Sequence, residues 1–206
     1  MTGSWKINVT TNGMPQKVAT AFAKLADTLI GAEYEPIAYI GSQLVNGTNH
    51  AVLAKQTILT GRDTENIVVI IFNEKPNEME ATLVSIERVV EGGLPMGGIQ
   101  IAGSFGVEGE PAAIFADAFE GFVGSKVEPF AYLGSQVVNG IDYIYAATVT
   151  PVAPEAESKV AIVVVNSVTK AVTFTDLLES KVNAALGYSF TWLKNRSLGS
   201  PLGEWP

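Results

Sequence analysis

Residues 35–47 read Glu-Pro-Ile-Ala-Tyr-Ile-Gly-Ser-Gln-Leu-Val-Asn-Gly, and residues 128–140 read Glu-Pro-Phe-Ala-Tyr-Leu-Gly-Ser-Gln-Val-Val-Asn-Gly. The second stretch starts 93 residues after the first, and ten of the 13 positions are identical. Each of the other positions exchanges one apolar side chain for another. An offset of this length is too long for a solenoid repeat and suits a small domain. The sequence therefore predicts two copies of one module, each with the same polar hairpin.

The same offset relates further segments without a gap. The apolar run 66–72 aligns with 159–165, and Gly31 aligns with Gly124. We predict module 1 over residues 1–91, a Gly- and Pro-rich linker over 92–97 and module 2 over 98–182. Residues 183–206 have no counterpart in the first copy. This C-terminal tail contains Tyr188, Phe190 and Trp192, and we expect it to pack on a module or on a partner.

Composition narrows the classes of function. The net charge of −8 and the absence of Lys/Arg clusters argue against a nucleic-acid partner. The absence of Cys excludes disulfides, zinc–thiolate sites and thiol catalysis. The sequence contains no run of about 20 apolar residues, so we expect neither a membrane-spanning helix nor a membrane partner. The sequence also lacks a repeated carboxylate pair, a Ser/His/Asp set and a phosphate-binding Gly loop, so we expect no enzyme activity, cofactor or metal. The predicted location is the cytoplasm, or the exterior if a signal peptide has been removed.

Periodicity predicts the same order of elements in each copy. Trp5–Thr10 reads as a strand, and Val18, Phe22 and Leu25 recur at helical spacing before Gly31. Four strands joined by hairpins follow. The predicted fold class is α+β: two modules, each with one α-helix packed on a four- to five-stranded antiparallel sheet.

The repeated hairpins resemble those of a known family. Ser-Gln-Leu-Val-Asn-Gly-Thr-Asn at 42–49 and Ser-Gln-Val-Val-Asn-Gly at 135–140 are similar to the Gln-x-Val-x-Gly hairpin of the cystatin and stefin inhibitors of cysteine proteases. Leu-Leu-Glu-Ser-Lys at 177–181 is similar to the last strand of the secreted members. The resemblance covers both modules. It implies a wedge of an N-terminal segment, the central hairpin and a second hairpin, which together fill the cleft of a papain-like protease.

The resemblance implies a set of protease-binding residues in this chain. They comprise Gly3, Gln43, Leu44, Val45, Asn46, Gly47 and Pro76 in the first copy, and Gln136, Val137, Val138, Asn139 and Gly140 in the second. The second hairpin departs from the family pattern, because the first copy has Pro without Trp there and the second copy has neither. The first copy keeps a free N-terminal segment and Pro76, so it is expected to be the inhibitory copy.

Other interpretations of the hairpins stay open. Asn-Gly forms ordinary two-residue turns, in which case Gln43 and Gln136 are solvent-facing strand residues. The leading hypothesis is a non-catalytic inhibitor that binds a papain-like cysteine protease. The alternative is a structural, interaction or adaptor protein of a microbe or virus, which binds another protein and uses the modules as a scaffold. A third hypothesis is a ligand site between helix and sheet.

Overall fold

A computed structural model of the chain describes residues 3–59, 64–76, 80–93, 97–153 and 155–178. Among these residues, strands account for 56% and helices for 14%, so the described part of the chain is mostly β. The predicted tail, 183–206, lies outside the described residues.

The two halves repeat one order of elements. The first half consists of β1 (Trp5–Thr10), α1 (Gln16–Thr28), β2 (Ala32–Val45), β3 (Gly47–Ile58), β4 (Thr64–Glu74) and β5 (Thr82–Glu91). The second half consists of β6 (Gln100–Ile101), α2 (Gly109–Ala118), β7 (Ser125–Val138), β8 (Gly140–Pro151), β9 (Lys159–Asn166) and β10 (Val172–Asp176). Sheet 1 has the order β1-β2-β3-β4-β5, and sheet 2 has the order β10-β9-β8-β7-β6. Neighbouring strands are antiparallel throughout both sheets.

The largest core lies between the two sheets. One buried cluster contains side chains of both inner faces, among them Ile40, Leu53 and Val69 of sheet 1 and Leu133 and Ile162 of sheet 2. The composition of β4 shows why the inner faces of the two sheets pack together. Its residues 67–72 are all buried, and their side chains alternate between the two sides of sheet 1, so both sides need a cover. One helix covers only one of those sides. The other side is removed from water by the second sheet.

The predicted α+β fold class is therefore wrong. The chain is a mostly-β sandwich of two five-stranded antiparallel sheets with only two helices among the described residues, and it is not two modules that each consist of a helix on a sheet. The reason is the core shared by the inner faces, which a single module would leave exposed. The division into residues 1–91 and 98–182 stays a prediction about folding units.

The helices lie against the outer faces. Val18, Phe22 and Leu25 of α1 are buried against sheet 1, as their spacing predicts. In the second half Phe115 of α2 is buried against sheet 2. α2 ends at Ala118, so Phe119 lies just beyond the helix.

A short connection joins the sheets. Gly92, after β5, forms a parallel bridge with Ile99, before β6. The N–H of Gly93 donates to the carbonyl of Ile99 at 3.3 Å. Within the ranges given above, no helix is long and apolar enough to cross a membrane.

Candidate functional site

The repeated sequence forms a hairpin end in each sheet. β2 and β3 stay paired up to Val45 and Gly47, with Asn46 at the turn. β7 and β8 repeat this pairing around Asn139. We call the two places the first and the second hairpin end. The first comprises residues 43–47 with Gly3 and Pro76, and the second comprises residues 136–140 with Gly97 and Val168.

The glycine of the first hairpin end is required by the fold itself. Gly47 has a φ of 99°, which other residues rarely adopt. A Cβ atom there would lie 2.6 Å from the carbonyl oxygen of Glu74 and 2.8 Å from Oδ1 of Asn73. In the second hairpin end, a Cβ on Gly140 would lie 2.7 Å from Cγ2 of Val168. The Gly of the motif therefore allows β4, or the chain after β9, to approach the turn.

Side-chain amides fix the first hairpin end to the strands on either side. The N–H of Gly3 donates to the carbonyl of Leu44 at 3.0 Å. Nε2 of Gln43 donates to the carbonyl of Gly3 at 2.9 Å, and Nδ2 of Asn49 donates to Oε1 of Gln43 at 3.1 Å. Nδ2 of Asn73 donates to Oδ1 of Asn49 at 2.8 Å. This amide ladder crosses from the N-terminal segment to β4, so Gln43 has a structural role that a solvent-facing residue would lack.

The second hairpin end has a modified version of the ladder. Nε2 of Gln136 donates to the carbonyl of Gly97 at 2.7 Å, as Gln43 does to Gly3. Asp142 occupies the place of Asn49 and accepts a bond of 2.7 Å from Nδ2 of Asn166. A carboxylate donates no hydrogen, so it cannot satisfy Oε1 of Gln136. Gly97, which the sequence assigned to the linker, borders the second hairpin end.

The predicted contact residues divide by exposure. Gln43, Val45, Gly47, Gln136 and Gly140 are half-buried, so they shape the hairpins rather than present a side chain. The outward-facing ones are Gly3, Leu44, Asn46, Pro76, Val137, Val138 and Asn139. Leu44 and Val137 occupy equivalent positions and are each 72% exposed, while Val138 is 45% exposed.

One exposed apolar residue escaped the sequence reasoning. Val168 follows β9, is 65% exposed and lies beside Gly140. It adds to the apolar surface that Val137 and Val138 present at the second hairpin end. The signal was available, because an apolar residue within the turn segment Ser-Val-Thr-Lys at 167–170 has no role in an ordinary hairpin.

A buried histidine connects the first hairpin end to α1. Nδ1 of His50 lies 3.1 Å from the hydroxyl of Tyr39, and its Nε2 lies 3.5 Å from Oε2 of Glu74. Glu74 in turn pairs with Lys17 of α1. Burial lowers the pKa of His50, and the neighbouring Glu74 opposes that effect only in part. The neutral imidazole is therefore favoured in the folded protein.

Tyrosines take the corresponding place in the second half. The hydroxyl of Tyr143 donates to Oε1 of Glu110 at 2.9 Å, and that of Tyr145 donates to the carbonyl of Pro111 at 2.7 Å. Both bonds fasten sheet 2 to the first turn of α2. Burial, reinforced by the bond to Glu110, raises the pKa of Tyr143 to about 12. Burial also raises the pKa of Tyr145.

The search for metal ligands covered both hairpin ends. Among the described residues, no group of three His, Cys, Asp or Glu side chains is placed to hold an ion. Comparison of the chain with models of known protein families finds no match, and comparison with curated protein sequences finds none either.

Proposed function

We propose that the protein is a non-catalytic inhibitor of papain-like cysteine proteases, and that the first hairpin end is its binding surface. The observation that carries the proposal is Leu44, a large apolar side chain that is 72% exposed at the end of a hairpin. The amide ladder holds this hairpin against the segment at Gly3. A preorganised apolar tip loses little conformational freedom when it enters a cleft.

The first hairpin end suits a cleft in shape as well as in polarity. The N-terminal segment contacts the hairpin through Gly3 and Leu44, and the end of β4 approaches the turn at Gly47. Pro76 follows shortly after β4 and is exposed. Backbone and small side chains at Gly3 and Asn46 leave room for a cleft wall to approach Leu44. This arrangement supports a wedge that offers the protease no bond to cut.

The test is inhibition of a panel of papain-like proteases with fluorogenic substrates. Leu44→Asp is the decisive variant, because Leu44 is exposed and its replacement disturbs little of the fold. We expect inhibition to weaken by about 100-fold or more, as for a central contact of about 2.7 kcal/mol. Ile30→Asp is the matched control. Ile30 is fully exposed in the turn before β2, at the opposite end of that strand, and should leave inhibition unchanged.

Two results would overturn the proposal. One is that wild-type protein at high micromolar concentration leaves every protease of the panel active. The other is that Leu44→Asp inhibits as well as Ile30→Asp. Circular dichroism of each variant shows whether the fold is retained, so loss of inhibition is not confused with unfolding.

The second hairpin end favours a second candidate function, a scaffold that binds another protein. Val137, Val138 and Val168 form an exposed apolar group there, but the neighbouring segment at Gly97 is tied into the chain on both sides. Val137→Asp separates the two candidates. If the protease inhibition belongs to the first hairpin end, this variant inhibits like the wild type. If Val137→Asp abolishes inhibition while Leu44→Asp does not, the assignment to the first end is wrong.

A further inference from the structure

The amide ladder at the first hairpin end has a fixed direction. It begins at the carbonyl of Gly3, which can only accept, so the nitrogen of the Gln43 amide must face it. Oε1 of Gln43 therefore accepts from Nδ2 of Asn49, and Oδ1 of Asn49 accepts from Nδ2 of Asn73. Reversing any one of these amides would bring two oxygens or two nitrogens together. The last atom of the ladder is thus Oδ1 of Asn73, which is an acceptor.

This last acceptor is buried and unpaired. Asn73 is 9% exposed, and its Oδ1 has no hydrogen-bond partner among the residues that the structure describes. The atom lies 2.8 Å from the point that a Cβ on Gly47 would occupy, so it faces the hairpin turn. Cγ of Lys75 lies 3.1 Å from the same point. A buried carbonyl oxygen without a donor destabilises the fold, so its presence at the turn calls for a reason.

The second half shows which donors complete such an end. Asn166 is the counterpart of Asn73, and its Oδ1 accepts from the N–H of Val168 at 3.0 Å. The N–H and the hydroxyl of Thr169 donate to the same atom at 2.9 and 3.1 Å. Pro76 stands at the place of Thr169, and it has neither a backbone N–H nor a hydroxyl. The exchange of Thr for Pro therefore removes two of the three donors from the first half.

A partner reaches this acceptor once one flexible side chain moves. Asn46 and Pro76 are exposed, and Lys75, which borders the turn, is half-buried. Rotation of the Lys75 side chain opens a path to Oδ1 of Asn73 without a shift of the backbone. A bond formed there after water is excluded is electrostatically stronger than one in water, and it polarises the remaining bonds of the ladder.

We propose that Asn73 is the polar specificity-determining residue of the first hairpin end, and that the protease bound there donates an N–H group to its Oδ1. This inference rests on the proposed function. The apolar tip at Leu44 fits any cleft of suitable width, whereas Asn73 selects a cleft whose wall carries a donor. A wall that is apolar or carries an acceptor at this place leaves the buried oxygen unpaired and is disfavoured.

The test is Pro76→Thr, which gives Asn73 the internal donors that Asn166 has in the second half. We expect the midpoint of thermal unfolding to rise by about 3 °C, because a buried acceptor becomes paired. Inhibition of the same protease should weaken by about tenfold, because the acceptor is no longer free for the partner. The opposite directions matter, since damage to the hairpin would lower stability and inhibition together.

Asn73→Ala controls for the loss of the Pro76 ring, which is itself exposed. In that background Pro76→Thr has no acceptor to satisfy, so it should change neither the midpoint nor the inhibition any further. If Asn73→Ala fails to fold, Pro76→Ala takes its place. It loses the same ring but restores only the N–H, so both effects should be smaller than in Pro76→Thr.

Three results would overturn the proposal. One is equal weakening by Pro76→Thr with and without Asn73, or by Pro76→Thr and Pro76→Ala, which would assign the effect to the ring. Another is a raised midpoint with unchanged inhibition, which would make solvent the donor and leave the proposed function standing. The third is a wild-type protein that inhibits no protease of the panel, in which case the proposed function falls as well.

Discussion

The replacement of Gly47 by Ala separates what the hairpin motif does for the fold from what it does for binding. Gly47 has a φ of 99°, and a Cβ there would lie 2.6 Å from the carbonyl oxygen of Glu74. Gly13 supplies the matched control. Its φ is 115°, but a Cβ there would meet nothing within 4 Å. The two glycines therefore share the backbone penalty, and only one of them adds a steric conflict.

The expected costs follow from these geometries. A non-Gly residue at such a positive φ costs about 2 kcal/mol, which applies to Gly13→Ala. In Gly47→Ala the backbone of β4 must also move, and an overpacked site adds about 2 kcal/mol, for a total of about 4 kcal/mol. Gly140→Ala should fall between these values, because the obstructing Cγ2 belongs to Val168, an exposed side chain that can turn away.

Urea unfolding of the three variants measures these differences. The free energy of unfolding should order as Gly13→Ala, Gly140→Ala and Gly47→Ala, from most to least stable. The midpoint of thermal unfolding should fall by about 3 °C for each kcal/mol in a chain of this length. Equal losses for Gly13→Ala and Gly47→Ala would refute the steric argument.

Three further predictions concern polar groups beneath the hairpin ends. Asn49→Asp introduces the carboxylate that Asp142 supplies in the second half and removes the hydrogen bond to Gln43. The free energy of unfolding in urea should therefore fall by about 1 kcal/mol, and an unchanged midpoint would contradict the role of the amide ladder. Burial lowers the pKa of His50 below its ordinary value of 6.5, so its contribution to stability is complete above that pH and is lost as the pH falls through the lowered pKa. His50→Tyr should therefore flatten the decline of the urea midpoint between about pH 7 and 5, and an identical slope would be evidence against this. The pKa of Tyr143 is raised from 10.0 to about 12, so the folded protein keeps this proton at a pH where the unfolded chain loses it, and the free energy of unfolding falls as the pH rises above 10. Ultraviolet titration of tyrosinate should show a late transition in the wild type that is missing in Tyr143→Phe.

The local elements were readable from the sequence because their signals are local. Asn-Gly turns end both repeated strands, and the spacing of Val18, Phe22 and Leu25 correctly predicts the buried face of α1. Exposure at the hairpin ends was less readable. Gln43 and Leu44 are adjacent in one motif, but strand alternation turns the first towards the ladder and the second towards solvent.

The sandwich depends on contacts that no single segment specifies. β4 carries the run Ile67–Phe72, which is apolar on both faces and is therefore a sign that each face needs a cover. A helix accounts for one cover, and the predicted fold class of one helix on one sheet left the other face without any. That fold class is wrong because the second sheet covers the remaining face.

The bridge between Gly92 and Ile99 determines where the two hairpin ends lie. Glu91 pairs with Asn66 at the end of β4 remote from the first hairpin end, whereas Gln100 pairs with Ser135 next to the second. Asn66 and Asn73 are about 23 Å apart along β4, given the rise of a strand. The two hairpin ends therefore lie at opposite ends of the molecule. A protein bound to one hairpin end leaves the other accessible, so two bound molecules do not compete for space. A partner that itself has two binding sites would then be linked with this protein into linear polymers.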